Sequence, residues 1–465
     1  MKKRQRRRRR AYLNLLILYL ILVLIIAAIA FGAYRLFKMF STPSPETFAP
    51  ASSAEMTESP AESMETTTAP ETQLLTLIAQ ADRLALSYDY DAAIELLGQD
   101  PSLASAPEVV AAIAGYEESK SKLEKKDVTK VPHVFFHSLI YDTSKAFDGD
   151  EDQMGYNQVM TTIEEFEKML EEMHKRGFVL VRMHDMGYET TDEESGKIRM
   201  TKGEILLPPD KKPIVFSQDD VCYYEYMTGD GFASRLVVGE DGRPTTEMDL
   251  EDGSSVIGDY DMIPILNRFI DEHPDFSYRG AKAVIAVTGY QGAFGYRTAA
   301  SYADTNPNYE ADKEKVREVA QALRDDGWEL ASHSWGHLHL GRIDFERFTH
   351  DCDKWDSEVR TLLGPVDIIL YPFGTDVADW HPYTFENERY KYLYDLGFRY
   401  FCTVDSAESW VQFGDTNLRQ GRRNLDGYRM KRDLDEPDKA KLSDLFDVKE
   451  IYDFNRPKEM NPIQS

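Results

Sequence analysis

From Val131 onward, short apolar runs alternate with stretches in which apolar residues recur every three or four positions. The runs VPHVFFHSLI (131–140), FVLVRM (178–183), PIVFS (213–217), AVIAVTG (283–289), WELASHS (328–334), VDIILYP (366–372) and FRYFCTV (398–404) are short and rich in β-branched and aromatic residues, so they predict strands. Residues 163–176, 262–272, 313–326, 345–361 and 385–396 predict the intervening helices. In the first of these, Phe166, Met169, Leu170 and Met173 fall on one face. Alternating strand and helix predicts a parallel α/β fold, either a barrel or a doubly wound sheet. Both architectures gather reactive groups at the C-terminal ends of their strands. Residues 229–259, with LVVGEDGRP and MDLEDGSS, interrupt the alternation and predict a hairpin insertion.

The pattern before Val131 is different. Leu74, Leu77, Ile78, Ala81 and Ala85 recur at helical spacing, a second short helix follows at 91–97, and Pro107 suits the first turn of a third. DYDAAIELL is similar to the second helix of a tetratricopeptide repeat, but one hairpin is too few for a solenoid, so 73–126 reads as a helical spacer. Residues 41–72 are rich in Ser, Thr, Pro and Glu, have little to bury, and predict a disordered acidic tether. Residues 11–34 run without a charge behind eight Lys and Arg in residues 2–10. A helix of that length spans the ~30 Å hydrocarbon core, and basic residues stay on the cytoplasmic side. This predicts a cytoplasmic tip (1–10), a single-pass anchor in the cell membrane (11–34), and everything later outside. Ala28 and Ala30 offer a signal-peptidase-like site, but the apolar run exceeds the usual h-region.

Charge sharpens this division. The 465-residue chain has a net charge of −27 from 54 basic and 81 acidic residues. Ten of the 54 basic residues lie in 1–40 with no acidic one, which leaves 44 against 81, a net of −37, for the remainder. A phosphate backbone would be repelled by that surface, so nucleic acid is excluded as a partner. Three scattered cysteines (Cys222, Cys352, Cys402) form neither a disulfide framework nor a metal knuckle.

Two polar clusters sit at predicted strand ends. Ser217-Gln218-Asp219-Asp220 follows PIVFS, and two adjacent carboxylates can divide labour, one binding a metal and one taking a proton. Such pairs also serve as turn or cap residues. His333-Ser334-Trp335-Gly336-His337 follows WELAS, and two imidazoles four residues apart can face one ion. One oxygen and two nitrogen donors leave room for water, and zinc, cobalt or nickel suits that set.

These residues carry a resemblance. FSQDD followed by SHSWGH resembles the first two motifs of the polysaccharide deacetylases, the NodB-type carbohydrate esterases of family 4. AVIAVTG with Tyr290 is similar to the family's ATFFVTG strand, LYPFG (370–374) lies where its third motif stands, and LGFRYFCTVDSAESW (396–410) is similar to the fourth. The resemblance implies an irregular (β/α)7-type barrel over 131–455. It also implies Asp219 as general base, and a divalent metal, zinc before cobalt or nickel, on Asp220, His333 and His337. The Phe373 backbone N–H would then form the oxyanion hole, and the substrate would be a polysaccharide bearing N-acetyl or O-acetyl groups. Leu370 replaces the third-motif arginine that orients the base, and no histidine follows His381 to act as the late general acid. Asp220 and His333 are also 113 residues apart, more than in compact members, which the 229–259 insertion partly explains.

VFFHSLIYD (134–142) resembles the opening of the family's circularly permuted branch, which includes extracellular poly-N-acetylglucosamine deacetylases. That likeness implies His137 as the general acid and makes YPFG ordinary, with His133 and His184 as rivals. Of the aromatics near the motifs (Tyr223, Tyr224, Tyr226, Trp335, Trp380, Trp410), Trp335, Tyr224 and Trp410 are expected against sugar. Arg422-Arg423-Asn424 reads as closing a strand or meeting substrate, and the spacing of Asp376, Asp379 and Trp380 reads as chance. The expectation is a membrane-anchored extracellular deacetylase. The alternatives are a barrel that binds glycan without turnover and an anchored scaffold working through 73–126.

Overall fold

The computed structural model describes residues 69–379, 381–405 and 409–460. The expected tip and anchor lie outside these residues, as does the expected tether up to residue 68; its last four residues, 69–72, begin a helix instead. Among the described residues no helix is long and apolar enough to cross a membrane.

Helices α1 (Ala69–Leu86), α2 (Tyr90–Gly98) and α3 (Pro107–Lys120) come first. Asp89 caps α2, and the three helices close over a small core of Ala81, Ala85, Ala93, Leu97, Val109 and Tyr116. The group is not a free spacer. Arg83 pairs with Asp271 at 2.6 Å, the Tyr88 hydroxyl donates to the Asp275 carbonyl at 2.9 Å, and the Arg279 N–H donates to the Ser87 carbonyl at 2.8 Å. These contacts fix it against the body that follows.

That body is a parallel barrel. Its strands are β1 (His133–Phe136), β2 (Phe178–Leu180), β3 (Lys212–Gln218), β4 (Val284–Val287), β5 (Glu329–Ser332), β6 (Ile368–Leu370), β7 (Tyr400–Val404) and β8 (Leu418–Asn424). Seven of them close in the order β4-β5-β6-β7-β8-β1-β3 and back to β4. The irregularity lies at β3, the longest of the strands on that side. Its first half pairs with β2 (Ile214↔Leu180) and its last residues pair with β4 (Gln218↔Ile285). The apolar runs are continuous rather than alternating because one face fills the barrel and the other lies beneath helices.

The covering helices are α4 (Ile163–Lys175), α5 (Met262–Glu272), α6 (Tyr309–Asp325), α7 (Phe345–Trp355), α8 (Glu388–Asp395) and α9 (Gly427–Asp435). Thr162 and Glu165 make a capping box for α4, whose Phe166, Met169, Leu170 and Met173 are buried. A buried pair between Glu165 and Arg456 at 2.5 Å ties the chain's end to that helix. Three boundaries differ from expectation. α6 starts at Tyr309, before residue 313. The stretch 345–361 widens into a π-helical turn at Asp356–Arg360, which carries Glu358 to the Trp335 indole N–H at 3.1 Å. α8 begins only at Glu388, because the Asn387 side chain caps it. The insertion forms a three-stranded antiparallel sheet (Arg235–Val238, Pro244–Asp249, Ser255–Gly258) rather than a two-stranded hairpin.

Candidate active site

Three chain segments leave the C-terminal ends of barrel strands with four non-glycine residues in the left-handed region: Asp220 after β3, Ser334 and His337 after β5, and Phe373 after β6. Such backbone costs of order 1–3 kcal/mol per residue and gathers at functional sites. Here it turns the side chains of the two sequence clusters toward each other.

Asp219 and Asp220 occupy unlike surroundings. Asp219 is buried, its N–H donates to the Phe136 carbonyl at 2.8 Å, and its Oδ1 accepts from Arg422 Nη1 at 2.6 Å. Its Oδ2 lies 3.8 Å from His333 Nε2. Burial pushes this carboxyl up, but the Arg422 guanidinium outweighs burial and holds it well below the usual carboxylate range. Asp220 presents Oδ2 to His337 Nε2 at 3.6 Å and to His137 Nε2 at 4.0 Å, while its Oδ1 accepts from the Tyr224 hydroxyl at 2.6 Å. Burial raises it as well, and the three histidines bring it below its ordinary value.

The histidines are locked by their other ring nitrogens. His333 Nδ1–H donates to the Leu370 carbonyl at 2.7 Å, and His137 Nδ1–H donates to the Val159 carbonyl at 3.0 Å. In both, the Nε2 lone pair therefore faces the carboxylates. Burial pushes the His333 imidazole down, which favours the neutral form that binds metals. Ligand atoms of Asp220, His333 and His337 all lie within 4.8 Å of one another. With the His333 tautomer fixed and one Asp220 oxygen left toward the imidazoles, this two-nitrogen, one-oxygen set fits a four-coordinate divalent ion such as zinc, cobalt or nickel.

Two other trios among the described residues bring donors together, and neither fits as well. In His174, His273 and Asp275, the carboxylate is already bonded to His174 at 2.9 Å and to the Lys211 ammonium at 2.8 Å. Asp150, Asp152 and Asp230 offer only carboxylates near the surface.

The rival histidines are placed elsewhere. His133 is buried inside the barrel, bonded to Gln420 at 3.1 Å and Ser217 at 2.9 Å. His184 lies at the opposite end of the barrel, paired with Glu329 at the start of β5 and with Asp367 at 3.1 Å. Burial lowers the His184 imidazole, but the two carboxylates override it and raise it to about 11. A folded value above the ordinary 6.5 stabilises the fold fully below that value, and the benefit fades as pH climbs through 11. The melting-temperature gap between the native protein and His184→Gln is thus expected to be widest near pH 6 and to narrow toward pH 11. A gap that widens with pH would contradict the pairing.

Of the expected sugar-facing aromatics, none presents a free ring at the centre. Trp335 is held by Glu358, and the Lys354 ammonium covers its face at 3.3 Å. Trp410 packs against Gly421, on the opposite face of β8 from Arg422. Tyr224 is buried and serves through its hydroxyl instead. It is the centre of a stack with Tyr226 and Tyr290, whose rings lie 5.6 and 5.2 Å away. Trp380 lies outside the described residues. The Phe373 ring stacks on His339 at 4.0 Å and meets His337 edge-on at 4.5 Å, at the mouth. Asp376 is no chance acid, for it forms a buried pair with Arg419 at 2.7 Å.

Three contributors escaped the motif reading. Arg422 orients Asp219 from β8, although the sequence offered it only as closing a strand or meeting substrate. Asp351 of α7 accepts from the N–H groups of Trp335 at 2.9 Å and Gly336 at 2.7 Å, clamping the loop between the two histidines. Thr288 bonds the Tyr224 hydroxyl at 2.8 Å. Tyr224 thereby occupies one oxygen of Asp220 and leaves the other to face the histidines. Tyr224→Phe keeps the stacked ring and removes this bond. It is expected to raise the dissociation constant for Zn²⁺ by about 10- to 100-fold in a chelator competition, and an unchanged constant would deny Tyr224 that role.

No family model matches the chain, and no curated protein matches it. Solved structures similar to it include the Streptococcus pyogenes deacetylase PplD in complex with acetate, at 12% identity and a TM-score of 0.36, covering 67% of this chain and 98% of that one. They also include a Bacillus anthracis protein assigned as a polysaccharide deacetylase, at 11% identity and a TM-score of 0.33, covering 65% of each chain. Likeness this distant leaves the site's own residues to decide what it can do.

Proposed function

We propose that this chain is a metal-dependent deacetylase that removes N-acetyl, or O-acetyl, groups from a polysaccharide, with an N-acetylglucosamine-containing cell-wall or exopolysaccharide glycan as substrate. In this reading the 11–34 segment anchors it in the cell membrane and the barrel works outside. The observation that carries the proposal is the division of labour between adjacent carboxylates. Asp219 is clamped by a buried arginine, while Asp220 shares its surroundings with His333, held on the Leu370 carbonyl, and with His337 at 3.6 Å.

Asp220, His333 and His337 are the residues that would hold the ion, which when bound supplies Lewis-acid activation of water and of the acetyl carbonyl. Asp219, kept ionised and aimed by Arg422, takes a proton from the attacking water through Oδ2. Oxyanion charge developing on the carbonyl oxygen meets the Phe373 N–H, which makes no hydrogen bond to protein among the described residues. His137, with Nδ1–H fixed on Val159, is the group whose Nε2 passes a proton to the departing amine. Water and amide thus become acetate and an amino sugar. A barrel that merely bound glycan would need neither an oriented base nor a positioned acid. Arg422 and His137 supply both despite the absent motif-three arginine and late histidine.

The test is acetate release by the full-length protein from poly-N-acetylglucosamine, peptidoglycan and acetylated xylan, before and after chelation. Activity on at least one glycan, lost on chelation and restored by Zn²⁺, Co²⁺ or Ni²⁺, is expected. Metal-loaded protein that releases no acetate from any of them, yet retains glycan, would favour the binding-only barrel.

A further inference from the structure

The chain is strongly acidic, yet one cavity of about 710 Å³ is lined by six cationic side chains and only two carboxylates. It lies outside the barrel wall near the N-terminal ends of β1, β2 and β3, marked by Pro132, Phe178 and Lys212. Three of the six cations are already paired. Lys130 meets Asp127 at 3.3 Å, Arg423 grips Asp444 through two bonds of 2.8 Å, and Lys211 meets Asp275 at 2.8 Å. Lys126, Lys212 and Lys441 have no carboxylate partner among the described residues. Lys126 reaches only the Pro209 carbonyl at 3.2 Å, and Lys212 sits over the Phe178 ring at 4.4 Å.

Two further lining groups are buried and unsatisfied: the Arg423 Nε–H and the Ser409 hydroxyl. A buried donor without an acceptor costs about 1–3 kcal/mol. Two such donors beside three unneutralised ammonium groups describe a site short of negative charge and of acceptor oxygens. Neither group takes part in the deacetylation chemistry. On β8, Arg422 points inward to Asp219 while Arg423, the next residue, points outward to this cavity.

We infer that this cavity binds a phosphate-type anion, a phosphomonoester or phosphodiester group, through Lys126, Lys212, Lys441, Arg423 and Ser409. Tetrahedral phosphate offers the several acceptor oxygens that these donors lack, and charge-assisted bonds of this kind are the strong ones. A chloride ion or water could satisfy single donors but not the group.

The experiment titrates the full-length protein calorimetrically with inorganic phosphate and with glycerol phosphate, and sediments it with vesicles of phosphatidylglycerol or of phosphatidylcholine. Lys212→Gln/Lys441→Gln is compared with a charge-matched control, Lys313→Gln/Lys315→Gln on α6. Saturable phosphate binding that weakens about tenfold or more in the cavity variant, and not in the control, is expected. Deacetylase activity and melting temperature should be unchanged in both. Vesicle binding that is specific to phosphatidylglycerol and lost in the same variant would put the phosphate on a lipid headgroup, and binding of the soluble probes alone would put it in solution. If neither probe binds saturably, or if the cavity variant binds as the native protein does, the inference is wrong. The second result would also be expected if phosphate were simply meeting the ion on Asp220.

Discussion

Asp219→Asn is expected to lower acetate release by about 10²- to 10⁴-fold while leaving one ion per chain bound. The substitution keeps the shape and one acceptor oxygen but cannot take a proton. Because Asp220, His333 and His337, not Asp219, are the three residues whose donor atoms converge, the ion's ligands stay in place. Metal analysis and steady-state acetate release on the same preparation check both halves. Near-native turnover would remove Asp219 as the base. Loss of the metal together with activity would show that the two carboxylates do not divide their work.

Arg422 carries the second large effect. Its side chain is fully buried, it reaches Asp219 at 2.6 Å and Ser217 at 3.2 Å, and it lies 4.5 Å from the Phe135 ring. Arg422→Met leaves a buried carboxylate without its counter-charge, which typically costs about 3–5 kcal/mol of stability. Burial then pushes the Asp219 carboxyl up against the two histidines alone, and the base loses the bond that aims it. Denaturant unfolding should show the stability loss, and acetate release should fall with it. The double variant Arg422→Met/Asp219→Asn removes both charges, so stability should largely return while activity stays low. If the single variant is as stable and active as the native protein, Arg422 is not what positions the base.

How much of this was legible beforehand differs from element to element. Helix 262–272 could be read to the residue because Asp261 caps it and its apolar stripe is strong. The seven apolar runs all hold strands; six are trimmed and the run 213–217 lengthens to Lys212–Gln218, since register decides where pairing stops. β8 was nearly invisible, because Leu418–Asn424 (LRQGRRN) is polar and looks like a loop. Its Gln420 and Arg422 point into the barrel, where they bond His133, Ser217 and Asp219. A polar strand can be central only when its partners, distant in sequence, are already polar inside.

The site divides in the same way. Asp219, Asp220, His333 and His337 stand out because two clusters at strand ends, each compatible with metal chemistry, recur in a known order. Trp335 and Trp410 did not become sugar platforms, because Lys354, Glu358 and Gly421 claim their surfaces. Tyr224 was named for its ring and matters for its hydroxyl. Nothing along the chain shows which surface of an aromatic residue will be left free.

The sequence by itself determined the strand–helix alternation, the two donor clusters and the separation of a basic, uncharged-run beginning from an acidic remainder. Those are local quantities: hydrophobic period, residue type and charge count. Only the tertiary structure decided that Arg422 pairs with Asp219, that His137 rather than His133 or His184 reaches Asp220, and that Arg423 opens onto a basic cavity. Each of these joins residues more than eighty positions apart or separates neighbours by strand alternation. Barrel closure and register set such distances, and no local pattern encodes them.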